Sequence, residues 1–119
     1  WALFTLPASA TWTNGRVALL GDAAHAMLPF AAQGAGMAIE DATVLAGCLS
    51  EGAGDIVTAL RRYAGLRRER VARVQKLAQQ NGRIYHLAGP VATARDLTMK
   101  LLGGPRLVAR QNWVYDWRA

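Results

Sequence analysis

The chain has 119 residues, 52% of them hydrophobic, a net charge of +6 and one cysteine, Cys48. This is enough apolar material for one folded domain, and a lone cysteine excludes an internal disulfide and fits a cytoplasmic setting. No apolar run approaches the ~18 residues of a membrane span, and Trp1 to Pro7 lacks the basic start of a secretory signal, reading instead as a chain entered mid-strand.

In chain order, residues 2–6 alternate weakly and predict a first short strand. Residues 8–14 predict a loop that closes on the turn signal Asn14-Gly15. Residues 17–20, Val-Ala-Leu-Leu, are continuously apolar and end at Gly21, which predicts a strand buried on both faces. Two short strands do not make a stable sheet, so both are expected to pair with strands outside this chain. Residues 22–29 predict an irregular segment or a short helical turn. Pro29 blocks a regular helix there and drives Leu28 towards extended backbone.

A helix is predicted from Gly34 to about Leu49, with Met37, Val44, Leu45 and Cys48 on one face and Glu40 off that stripe. Gly52 and Gly54 end it. Asp55 suits the N-cap of the next helix, in which Ile56, Leu60, Tyr63, Leu66, Val71, Val74 and Leu77 carry the apolar period to about Gln80. Asn81-Gly82 predicts an interruption, with a resumption over residues 83–88. Gly89-Pro90 opens a further helix through Leu102, which Gly103-Gly-Pro105 stops, leaving a short tail with two tryptophans. The positive charge concentrates in Arg61, Arg62, Arg67, Arg68, Arg70, Arg73 and Lys76. This reads as a solvated helix face. A nucleic-acid surface would want interleaved aromatic residues or a binding motif, and only Tyr63 interleaves.

The chemistry-bearing residues lie in the first half. Asp22 follows a strand and Gly21, where a carboxylate either accepts a hydrogen bond from a cofactor hydroxyl or caps its own turn through the Ala24 or His25 amides. Asp22 and His25 lack the further ligands that a metal site needs, since His86 and Cys48 stand alone, and no serine occupies a nucleophile elbow. Gln33-Gly-Ala-Gly36 places two glycines at a helix start. They either admit a ligand to the free amides at the positive end of the helix or allow close helix packing. The third glycine of a dinucleotide fingerprint is missing, and no strand precedes the motif. Glu40 and Asp41 point about 100° apart on a helix, which argues against an acid–base pair and for solvent contact or a cap to a neighbouring loop.

Trp12, Gly15-Arg-Val17, Gly21-Asp-Ala-Ala-His25, Met27, Pro29, Gln33-Gly34 and Glu40-Asp41 together resemble the C-terminal part of the single-component FAD-dependent aromatic hydroxylases, the salicylate hydroxylase-like flavoprotein monooxygenases. The segment from Tyr63 to Arg70 is similar to the family's tyrosine-then-arginine helix, and Trp113-Val-Tyr115 to its C-terminal motif. The resemblance implies an α/β fragment. Its short strands would complete the mixed sheet of an FAD-binding (PHBH-like) fold, with residues 1–54 ending the FAD-binding domain and residues 55–119 forming a helical region of the same domain.

The resemblance also implies a cofactor-binding set of Gly21, Asp22, Pro29, Gly34, Ala35 and Gly36, and assigns no catalytic residue. Asp22 would meet a ribityl hydroxyl of FAD, Pro29 would line the reactive face of the flavin, and residues 34–36 would present amides to its pyrimidine edge. His25 matches a family position as a structural histidine. The implied reaction is reduction of FAD by NADH or NADPH, activation of dioxygen and hydroxylation of a small aromatic substrate, with no nucleic acid or membrane as partner. The adenosine half of the FAD site and most of the substrate pocket have no counterpart in these residues, so the missing N-terminal portion of the domain is itself an implied partner. The isolated chain is expected to retain FAD weakly or not at all. Two alternatives stand beside this reading: an inactive remnant, and a basic helical interaction module.

Overall fold

The computed structural model describes residues 3–7, 10–52 and 54–118. Ala2, at the start of the first expected strand, lies outside the described residues. Residues 3–6 form no strand. Among the described residues their backbone tie is the Leu6 amide to the Ala26 carbonyl at 3.0 Å, reinforced by Gln75 Nε2 to the Leu6 carbonyl at 2.8 Å. A strand needs a ladder along its edge, and no such neighbour lies beside this segment among the described residues.

The second expected strand is shorter than its apolar run. β1 (Thr13–Asn14) and β2 (Val17–Ala18) form a two-stranded antiparallel hairpin with Thr13 opposite Ala18 and Asn14 opposite Val17. The turn signal is borne out: Gly15 takes φ +54, the left-handed backbone that a two-residue hairpin loop demands. The Leu19 amide extends the pairing to the Trp12 carbonyl at 2.8 Å. Burial on both faces is not seen, since Val17 is 63% exposed and Leu19 and Leu20 are exposed as well. From this hairpin region Trp12 is buried in the core, and Ala18 is partly buried against it.

α1 (Asp22–His25) is the expected helical turn. Pro29 opens a 3-10 turn (Pro29–Ala31), with Leu28 extended before it at φ −64 and ψ 143, as the proline requires. α2 (Gly34–Glu51) starts at the expected glycine and runs to Gly52.

α3 (Ile56–Tyr85) is one helix of 30 residues, about 45 Å long at 1.5 Å per residue. Its N-cap is Asp55, whose Oδ1 accepts the Thr58 amide at 3.1 Å. The expected interruption at Asn81-Gly82 does not occur. Gly82 lies inside the helix because Phe30 packs onto it: a Cβ there would stand 2.7 Å from Phe30 Cδ2. Asn81 Nδ2 donates to the Phe30 carbonyl at 3.0 Å. The pair that reads as a turn in sequence is a docking notch for the 3-10 turn.

α2 packs along α3 over a core of Trp12, Met37, Cys48, Ala59, Tyr63, Ala64, Val71 and Val74, with Val44 and Leu45 partly buried against it. Leu66, expected on the apolar face, is 56% exposed, and the inner positions go to alanines and to Arg67.

α4 (Gly89–Leu102) begins and ends as expected, Gly103 closing it at φ +73. Gly104 and Pro105 then open α5 (Gly104–Ala109) where the sequence suggested only a stop, because proline is as well suited to a first helical turn as it is unsuited to an interior. α6 (Asn112–Tyr115) follows. Among the described residues no helix is long and apolar enough to cross a membrane.

A candidate cofactor edge and the charge network behind it

Gly21 joins β2 to α1 at φ 59 and ψ −138, a region open in practice to glycine alone. Its carbonyl accepts the Ala24 amide at 2.9 Å and the His25 amide at 3.0 Å. The capping role that the sequence left open to Asp22 is therefore filled by backbone, and the Asp22 side chain stays exposed. The same turn brings Asp22 to the start of α2: a Cβ built on Gly34 would lie 3.7 Å from Asp22 Oδ1.

Gln33 occupies the N-cap of α2 without a side-chain cap hydrogen bond. The first amides of a helix have no intrahelical acceptor, so those of residues 34–36 are open to a ligand, at the positive end of an 18-residue helix. Ala35 and Pro29 are exposed, and Gly34 and Gly36 half-buried. The structure thus brings Gly21, Asp22 and Gly34 into one locality and leaves Pro29 exposed on the loop leading into it. An acceptor for hydroxyls beside a run of free amides is a donor set that fits the ribityl chain and pyrimidine edge of a flavin.

Behind this edge lies a network that the sequence did not reveal. Asp41 is fully buried, and its Oδ2 accepts the Gly21 amide at 3.1 Å and His25 Nε2 at 2.5 Å. A carboxylate only accepts, so His25 Nε2 carries the donated proton. Asp41 Oδ1 accepts Arg67 Nε at 2.7 Å. Arg67, 1% exposed, also reaches Glu40 through Nη1 at 2.8 Å. Arg70 grips both oxygens of Glu40 at 2.6 Å and donates onward to the carbonyls of Trp113 at 3.1 Å and Val114 at 2.9 Å.

The expectation of solvent contact for Glu40 and Asp41 is therefore corrected, while the cap to a neighbouring loop is real, made by Asp41 to Gly21. The missed signal was positional. Residues 40 and 41 lie three and four after Met37, on its own face of the helix, and Arg67 lies four after Tyr63 and four before Val71. Charged residues of opposite sign on two apolar stripes announce a buried ionic contact.

Burial is the largest influence on Asp41 and pushes its pKa up. The hydrogen bonds from His25, Arg67 and Gly21 together outweigh it and hold the carboxyl below its usual 3.8. Tyr63, whose hydroxyl donates to the Leu19 carbonyl at 3.1 Å, is raised well above 10.0, first by burial and then by the Asp41 charge.

The reading of the arginine run as a solvated face holds for Arg61, Arg62, Arg68, Arg73 and Lys76, which are exposed, and is corrected for Arg67, which is buried, and Arg70, which is half-buried. Besides Arg67 and Arg70, Arg73 stacks on the Trp113 ring at 3.8 Å and Arg68 donates to the Ala10 carbonyl at 3.3 Å.

Comparison with known proteins shows the family. The FAD binding domain family matches residues 8–80, more than half of the chain, and the chain belongs to that family. Salicylate hydroxylase of Pseudomonas putida is 40% identical over 119 residues, covering 98% of this chain and 26% of that protein. A 3-amino-4-hydroxybenzoate 2-monooxygenase of Streptomyces cremeus is 40% identical over 97% of this chain and 29% of its own length. A 3-hydroxybenzoate 6-hydroxylase of Klebsiella oxytoca is 37% identical over 90% and 27%. The chain spans between a quarter and a third of the length of these relatives.

Proposed function

We propose that the chain supplies the ribityl and isoalloxazine contacts of FAD in a flavoprotein monooxygenase that hydroxylates a small aromatic compound, with NADH or NADPH as reductant. One observation carries this reading: the exposed Asp22 carboxylate stands beside Gly34 at an uncapped helix start, in a chain of the FAD binding domain family. Asp22 accepts a hydrogen bond from a ribityl hydroxyl. Gly21 gives the turn its shape. Gly34, Ala35 and Gly36 present amides to the pyrimidine edge, where the helix dipole favours electron-rich groups. Pro29 lines the approach to the ring. FAD, when bound, supplies the redox chemistry and the activation of dioxygen, and these residues fix its position and polarity.

The reading extends to the rest of the fold. Residues 1–54 end an FAD-binding domain with a PHBH-like mixed sheet, and residues 55–119 form its helical region. The exposed Phe4, Val17 and Leu20 support this, being apolar side chains that neighbouring strands would cover. The remainder of that domain is then the chain's first partner, and the setting is cytoplasmic.

The test is flavin retention. The chain is placed in the Pseudomonas putida salicylate hydroxylase in exchange for the matching segment, loaded with FAD and desalted. A folded chimera that keeps its flavin absorbance, and loses most of it on Asp22→Ala, is the expected result. A folded chimera without flavin, or one indifferent to Asp22→Ala, overturns the assignment.

A further inference from the structure

The residues that would touch FAD are exposed, and their geometry depends on a side chain that is not. We propose that Asp41 is a positioning residue: it clamps the Gly21–Asp22 turn in the conformation that holds the Asp22 carboxylate at the start of α2. The proposal rests on the reading of Asp22 and residues 34–36 as a flavin edge.

Asp41 Oδ2 holds both ends of one turn, the Gly21 amide at its entrance and His25 Nε2 at its exit. Rotation about Gly21 is what would swing Asp22 away from Gly34, and the bond to Asp41 opposes that rotation. The turn has little room to relax otherwise, since a Cβ on Gly21 would already stand 3.2 Å from Ala38 Cβ. Asp41 is itself held. Arg67 Nε fixes its other oxygen, Glu40 fixes Arg67, and Arg70 fixes Glu40 while gripping the carbonyls of Trp113 and Val114. Two carboxylates and two guanidiniums alternate along this network, so their formal charges cancel.

A carboxylate acting only as glue between α2 and α3 would need Arg67 and nothing more. The two bonds to α1 and its glycine are superfluous to that role, and they are the ones that set Asp22. The tail from Trp113 onward is thereby linked to the cofactor edge through four side chains, although no residue of the tail is part of that edge.

The test measures hydrogen exchange at individual amides of this chain, by NMR, in the wild type, Asp41→Ala and Asp41→Asn. Asp41→Ala should speed exchange at Gly21 tenfold or more beyond whatever acceleration general destabilisation brings to the Val71 and Val74 amides of α3. Asp41→Asn keeps an acceptor and the shape of the side chain, so it should give an intermediate effect at the same site. Unchanged exchange at Gly21, or equal acceleration at Gly21, Val71 and Val74, overturns the clamp. Should Asp41→Ala fail to fold, Asp41→Asn decides by the same comparison.

The same substitutions in the chimera read FAD affinity by fluorescence titration. If Asp22→Ala weakens FAD and Asp41→Ala weakens it comparably, with Asp41→Asn between, the proposal holds. If Asp22→Ala weakens FAD and Asp41→Ala does not, positioning is wrong. If Asp22→Ala has no effect, the flavin reading fails, and the exchange result alone decides whether Asp41 sets the turn.

Discussion

α3 and α4 are both helices with proper ends, and they are stabilised by different physics. α3 has nine buried residues, among them Arg67, and packs against α2, the 3-10 turn and β1 of the hairpin. α4 has none: Val91, Leu97 and Leu101 are 58%, 59% and 77% exposed, and its tie to α3 is Arg95 Nη1 donating to the Ile84 carbonyl at 2.7 Å. Pro90 in its first turn and Gly103 at its end define α4 locally, whereas α3 is defined by what packs on it. The comparison teaches that in this chain charge is not confined to the surface. The most buried helix carries the arginine run, and the apolar side chains of α4 face out.

If this contrast is right, substitutions in the two helices should differ sharply. The largest effect is expected from Arg67→Met, which leaves Asp41 and Glu40 buried beside one fewer cation. Losing one partner of a buried pair costs about 3–5 kcal/mol, enough to unfold a small domain, and urea titration would show it. A loss under about 1 kcal/mol would mean that water reaches the network.

Gly82→Val comes next. It pushes a side chain into Phe30 and should cost roughly 1–3 kcal/mol, with the loss centred on the 3-10 turn that carries Pro29. A thermal melt together with amide exchange at Ala31 and Ala32 would separate local detachment from global loss.

Acid provides a third test. Asp41 has a folded pKa below its unfolded value, so its contribution is complete above the unfolded value near 3.8 and is lost as pH falls through the folded one. Stability measured between pH 5 and pH 2 should fall, and Asp41→Asn should flatten that slope. The base limb has the opposite origin. Tyr63 is raised in the fold, so stability should decline once pH climbs past the unfolded value of 10.0.

The smallest effect is expected from Leu97→Ser on α4, within about 0.5 kcal/mol of wild type, as for other exposed positions. A large loss there would mean that α4 is covered in solution, and the contrast would have to be redrawn.

The local features were legible from sequence because their causes are local. Pro29 dictates an extended Leu28, Gly15 supplies a positive φ to a two-residue turn, Asp55 reaches an amide three residues on, and Gly34 opens a helix after an irregular loop. Each of these follows from covalent geometry or a hydrogen bond within one turn. The candidate cofactor residues belong to this group, since they lie at turns and helix ends, and the family pattern in Gly21-Asp22 and Gln33-Gly34 could be read from one segment.

What the sequence left undecided depends on partners distant along the chain. Asp41 meets Arg67 across 26 residues and Gly21 across 20; a charge on each apolar stripe signals a buried contact, but not which residue meets which. Asn81-Gly82 carries every sign of a turn, yet contact with Phe30, about 51 residues earlier, keeps it helical. Residues 17–20 have the composition of a buried strand, but burial is a property of neighbours, and among the described residues that run finds one short strand to pair with. Composition and spacing determined where the backbone turns and where helices begin. Tertiary structure alone decided which charges are buried, because a buried charge is tolerable only where its counter-charge arrives, and that is settled by packing.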